Sequence, residues 1–86
     1  MWPALMSPAT VHYPKQLFTW HVTHAGKDYY ICLTDRFADE PIEKVLGLRF
    51  KVTREGPDGH VWVEYISTTL HAAFTQLSIE LKDCGL

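Results

Sequence analysis

Cysteine is scarce in this chain. Two residues, Cys32 and Cys84, among 86 are too few for the disulfide framework of a small secreted domain. Glycine and proline number five each and are scattered, which excludes collagen-like and low-complexity architectures. No apolar run approaches the ~18 residues of a membrane span. Neither sign of charge dominates. Eight Lys and Arg stand against ten Asp and Glu, a net charge of −2. A duplex-DNA binder is usually basic, because phosphate neutralisation supplies most of its affinity. The balance therefore weighs against a general nucleic-acid role. No basic residue precedes Lys15, and Pro3 and Pro8 interrupt the opening stretch, unlike a signal peptide. Reduced thiols, a cytoplasmic location and no membrane association are the resulting expectations.

What the chain does contain is globular. Hydrophobic residues make up 47% and charged residues 21%, close to the average of folded domains. The length fits a single domain over residues 1–86. Pro3, Pro8 and Pro14 mark residues 1–14 as an extended N-terminal arm, since each proline removes a donor and biases its predecessor away from helix.

Two hairpins follow from period-two alternation. Phe18, Trp20 and Val22 alternate with Thr19, His21 and Thr23 ahead of Ala25-Gly26, and Tyr29 to Thr34 forms the return strand. With Gly26 first in a two-residue turn, Val22 faces Ile31, Trp20 faces Leu33 and His21 faces Cys32. Leu48, Phe50 and Val52 alternate with Arg49, Lys51 and Thr53 ahead of Gly56-Pro57-Asp58-Gly59, a run of turn residues. A four-residue loop sets Val52 opposite Val63, Phe50 opposite Tyr65 and Lys51 opposite Glu64. Between the hairpins, Asp39 to Gly47 has early acids, Pro41 in its first turn and a terminal glycine, the pattern of a short crossover helix. Thr68 to Asp83 reads as the main helix. Ser67, Thr68 or Thr69 can cap it, and Leu70, Ala73, Phe74, Leu77, Leu81 and Cys84 form its apolar stripe. The fold class is α+β: a small four-stranded antiparallel sheet of two β-hairpins, with a short crossover helix and a C-terminal helix packed on one face.

Chemistry-bearing patterns are thin. His21 and His24 lie three apart on a strand and point to opposite faces, so no metal site is expected, and no cofactor motif is present. Glu55-Gly56-Pro57-Asp58-Gly59 carries proline and acids where a phosphate loop needs converging amides. Asp35, Asp39, Glu40 and Glu43 read as helix-start and loop charge. His21 opposite Cys32 could lower a thiol pKa, but no orienting group or oxyanion donor accompanies it. The sequence is read as non-enzymatic.

The remaining feature is the sheet face away from the helix. The alternation assigns Trp62, Tyr30, Arg49, Lys51, Ile66 and His21 to it, a mixture of aromatic, basic and apolar groups that suits a protein-binding hot spot. The function expected is a small regulator, adaptor or inhibitor that binds another protein by contact and occludes a larger macromolecule. A homodimer through an unpaired sheet edge is a second form of partner. The alternative is a single-stranded nucleic-acid module stacking bases on this face. A small thiol and histidine enzyme at His21 and Cys32 is the third reading. The N-terminal arm could instead fold over the face and cover Trp62.

Overall fold

The computed structural model describes residues 13–44 and 47–85. The proposed arm therefore lies outside the described residues apart from Tyr13 and Pro14, as does any cover it would give the sheet. The described chain runs β1 (Lys15–His24), β2 (Lys27–Asp35), β3 (Phe50–Glu55), β4 (Val61–Ser67) and α1 (Leu70–Asp83). The strands form one antiparallel sheet in the order β1-β2-β3-β4, and α1 packs on one face. This is a small α+β domain with an open sheet.

Both hairpins form, but each register lies two residues from the expected one. In the first, Ala25 and Gly26 are the central turn residues, with φ of 53° and 79°. Left-handed backbone at both positions matches the twist of the strands. It outweighs the cost of about 1–2 kcal/mol for placing an alanine there. Val22 then pairs with Tyr29, Trp20 with Ile31 and His21 with Tyr30. In the second hairpin the loop spans 56–60, closed by the Gly56 N–H donating to the His60 carbonyl at 2.8 Å. A bulge at Trp62 follows, so Val52 pairs with Tyr65 and Lys51 with Ile66. Loop and bulge together displace the partners by two. A two-residue slide exchanges partners without turning side chains over. Val22, Ile31, Leu33, Phe50 and Val52 accordingly remain together as the buried core with Ala73, Leu77 and Cys84 of the helix end.

The helix begins two residues later than expected, capped by Thr69, whose hydroxyl accepts from the Ala72 N–H at 3.2 Å. Its buried line is Ala73, Leu77, Glu80 and Cys84, with Leu70 and Leu81 at the margin. Phe74 is 40% exposed, outside this line, and its ring meets Phe18 at 6.0 Å.

No helix forms in the described part of the crossover. Two isolated turns take its place, Glu40 N–H to Phe37 carbonyl at 2.9 Å and Lys44 N–H to Pro41 carbonyl at 3.0 Å. Val45 and Leu46 are not among the described residues. What orders this loop is Arg49, which is 2% exposed. Its Nε and Nη2 grip the two carboxylate oxygens of Asp35 at 2.9 and 3.0 Å. Nη1 donates to the carbonyls of Pro41 and Lys44 at 2.8 and 3.0 Å, and Nη2 also donates to that of Glu40 at 2.8 Å. Every guanidinium donor is thereby used. Arg49 is thus not a surface binding residue as the alternation placed it. β3 begins at Phe50, so the strand pattern does not extend to Arg49, and the side chain turns into the loop.

Candidate functional site

The two hairpin turns and the helix C-terminus meet at one end of the sheet. Arg49 and the crossover occupy the other. At the turn end, the bulge places Trp62 beside Tyr29, edge to face at 6.3 Å. Tyr29 packs against the hydrophobic core. Below it the Arg54 guanidinium lies 5.2 Å from the ring centroid and reaches Glu80 of the helix at 3.5 Å and the Cys84 Sγ at 3.6 Å. Burial works to lower the Arg54 pKa, but the Cys84 and Glu80 partners outweigh it and hold the charge. Glu80, buried in the helix face, also accepts from the Gln76 amide at 2.9 Å. Tyr29 therefore rests on a fixed base.

Trp62 itself is half exposed, at 51%, yet it is held. His60 meets it edge-on at 4.5 Å and the Lys27 ammonium lies 5.6 Å from its ring. Its indole passes over Gly56, where a Cβ would stand 3.5 Å from Nε1. Asp58 accepts from the His60 N–H at 3.0 Å and sets the loop. Together these groups line an open groove of about 330 Å³ between Lys27, Asp28, Tyr29, Gly56, Pro57, Asp58 and Trp62. Lys27 and two carboxylates rim an aromatic floor.

The face away from the helix carries the other expected residues in two groups. His21 and Tyr30 stack at 4.9 Å, nearly parallel, and His21 Nε2 lies 3.4 Å from Asp28. The Thr23 hydroxyl donates to the same Asp28 at 2.7 Å and, more than the histidine, holds its pKa below the usual carboxylate value. Lys51 and Ile66 are a directly opposed pair on the level of Thr34, four residues along β2 from Tyr30. That separation is about 13 Å at the rise of a strand. The structure therefore brings together His21 with Tyr30 and Lys51 with Ile66. It sets Trp62 in a different groove and removes Arg49 to the interior.

No family model matches this sequence, and no curated protein or solved structure is significantly similar to it. Geometry and chemistry alone carry the functional reading.

The expected His21–Cys32 pair is not formed. Cys32 stands opposite Thr19, and His21 opposite Tyr30, because the turn starts one residue earlier than expected. Cys32 is 4% exposed. Burial pushes its thiol pKa up, and the Glu55 charge adds to this, against smaller opposing hydrogen bonds from Thr19 and Thr53. Both cysteines are free. Native Cys32 should alkylate at neutral pH at least roughly tenfold more slowly than after unfolding, since the thiolate is the reacting species. Peptide-resolved iodoacetamide labelling measures this, and equal rates in the two states would show the shielding to be absent. Rates should climb only as pH rises past the ordinary thiol range.

Tyr29, Lys27, His60 and Asp58 were missed as site residues. Tyr29 was within reach, because it shares strand parity with Ile31 and Leu33. The bulge that swings Trp62 towards it leaves no local mark in the sequence.

Proposed function

We propose that this protein is a non-enzymatic binding module whose anchor is Trp62, acting on another protein as a regulator, adaptor or inhibitor. The observation that carries this reading is the ordered, half-exposed Trp62 in its groove. Tyr29, His60 and Lys27 all lie against the indole, so less side-chain freedom is lost when a partner covers it. Tryptophans in such settings dominate interface energetics. The groove suits an apolar or aromatic side chain inserted against Tyr29, with Lys27, Asp28 and Asp58 meeting polar groups around it.

The nucleic-acid alternative has less behind it. It relied on Arg49, which is committed to Asp35, and on Trp62, which stands apart from Tyr30. Acids Asp28, Glu55 and Glu64 are interspersed with Lys51 near the open face, and they oppose a phosphate backbone.

Trp62→Ala should weaken partner binding at least tenfold, about 1.4 kcal/mol, while shifting the unfolding midpoint little. The test is affinity capture from the native host after nuclease treatment, comparing the unaltered protein, Trp62→Ala and Tyr30→Ala. One protein species enriched by the unaltered chain and by Tyr30→Ala, and lost with Trp62→Ala, supports the reading. Retention of that species by Trp62→Ala with loss in Tyr30→Ala would move the site to the open face. Nuclease-sensitive capture would favour the nucleic-acid alternative.

A further inference from the structure

β1 is an edge strand, with no strand on its far side among the described residues. It is also a poorly protected edge. From Phe18 to His24 its pairing with β2 is regular, the single irregularity falling at Leu17. That stretch contains no Lys, Arg, Asp, Glu or Pro, the devices by which edge strands are usually kept from pairing. The opposite edge, β4, carries a bulge at Trp62 and Glu64 within its paired length, whereas the charge and bulge of β1, Lys15 and Leu17, are confined to its first three residues.

The helix leaves the same edge uncovered. α1 lies over β2, β3 and β4 and not over β1. The helix-side rings of β1 form a ledge, Phe18 stacked on Trp20 at 5.4 Å and touching Phe74 at 6.0 Å. Phe18 is 43% exposed and Phe74 40%. Apolar surface contiguous with an open edge marks a contact site.

We propose that the occupant of this edge is the β1 strand of a second copy, antiparallel across a two-fold axis normal to the sheet. Such an axis keeps directly opposed residues on one face only if a residue meets its own copy. Pairing the whole regular stretch puts its midpoint, His21, on the axis. Thr19 then opposes Thr23 of the second copy, Trp20 opposes Val22, and Phe18 opposes His24. No fixed like charges meet, and the two aromatic ledges join into one floor between two helices on the same face of an eight-stranded sheet. A strand pairing of this length together with the rings buries on the order of 1,200 Å² over both copies, the lower bound for a stable interface. The small net charge of −2 opposes association little.

Sedimentation equilibrium of the full chain across roughly 1–100 μM tests the proposal. Hydrogen exchange of the β1 amides at the same concentrations accompanies it. A mass rising to twice 9.9 kDa, with β1 protection rising in parallel, is the expected result. His21→Lys opposes two ammonium groups at the axis while placing a cation beside Asp28. It should raise the dissociation constant at least tenfold, as should Phe18→Lys, so the test survives if one variant fails to fold. A dimer that persists unchanged in the folded variants overturns the proposal and places self-association elsewhere. A monomer at every concentration also overturns it. Concentration-independent β1 protection in that monomer would assign the edge to residues 1–12, and unprotected β1 amides would leave it to an extended segment of another protein.

Discussion

Arg49→Ala is expected to lower the unfolding free energy by about 3–4 kcal/mol, within the range for breaking a buried ion pair by removing one partner. The guanidinium uses all its donors on Asp35 and on the carbonyls of Glu40, Pro41 and Lys44. Alanine leaves the Asp35 carboxylate, 5% exposed, without its cation, and three loop carbonyls without a common donor. The Phe37 N–H at 3.0 Å remains to Asp35 and limits the damage. Arg36 does not substitute, because its Nη1 is engaged by the Leu48 carbonyl at 2.6 Å. Asp35 raises the Arg49 pKa, chiefly through their hydrogen bonds, and because the pair is buried salt should weaken it little. Arg49→Lys should recover only a minor part of the loss, since an ammonium cannot reproduce the planar fork. Urea denaturation checks both variants, with the midpoint falling at an unchanged slope. A loss below about 1 kcal/mol would show that the loop is ordered by something else.

Leu77→Ala is expected to cost about 2–5 kcal/mol, as for a buried leucine whose removal leaves a cavity. Leu77 is 3% exposed and packs among Ile31, Leu33, Val52 and Ala73 in the core. Phe74→Ala should cost less, about 1–2 kcal/mol, because over a third of the ring is already in water and the space opens to solvent rather than becoming a void. The order matters more than either value. The helical stripe alone ranks the bulkier Phe74 first. Chemical denaturation of the two variants under one set of conditions decides between them, and a larger loss for Phe74→Ala would mean that the helix is rotated from the orientation described.

The difference at Phe74 has a definite origin. Periodicity narrows a helix face to a broad stripe, and Leu70, Ala73, Leu77, Leu81 and Cys84 all lie within it. Where the stripe is centred depends on the partner surface. Here the buried line runs through Ala73, Leu77 and Glu80, with Glu80 facing Arg54 on β3 at 3.5 Å, and Phe74 is left at the rim. Nothing near Glu80 in the sequence announces a partner 26 positions earlier.

The registers show the same division. Period-two alternation determined which core residues of the strands share a face, and the two-residue slide in each hairpin left them together, whereas the bulge took Trp62 off the face the alternation gave it. Partners depend on turn geometry. Ala25 accepts left-handed backbone so that the turn can match strand twist, and this separates His21 from Cys32. At the other hairpin a bulge carries Trp62 to Tyr29. The crossover has the caps and acids of a helix, yet Arg49 offers its carbonyls a better arrangement than a short helix would, since a few turns of isolated helix are marginal.

By itself, then, the sequence determined the α+β class, two antiparallel hairpins, the strand residues that form the core and the existence of the C-terminal helix. These follow from local periodicity, capping and turn chemistry, which act over a few residues. Only the tertiary structure decided that Arg49 is interior, that Trp62 shares a groove with Tyr29 rather than a face with Tyr30, and that Cys32 is shielded from His21. The first rests on groups distant in the chain satisfying one another's charge and hydrogen bonds, which burial makes obligatory without leaving a local pattern to read; the other two rest on a bulge and a turn geometry that the alternation of the strands does not encode.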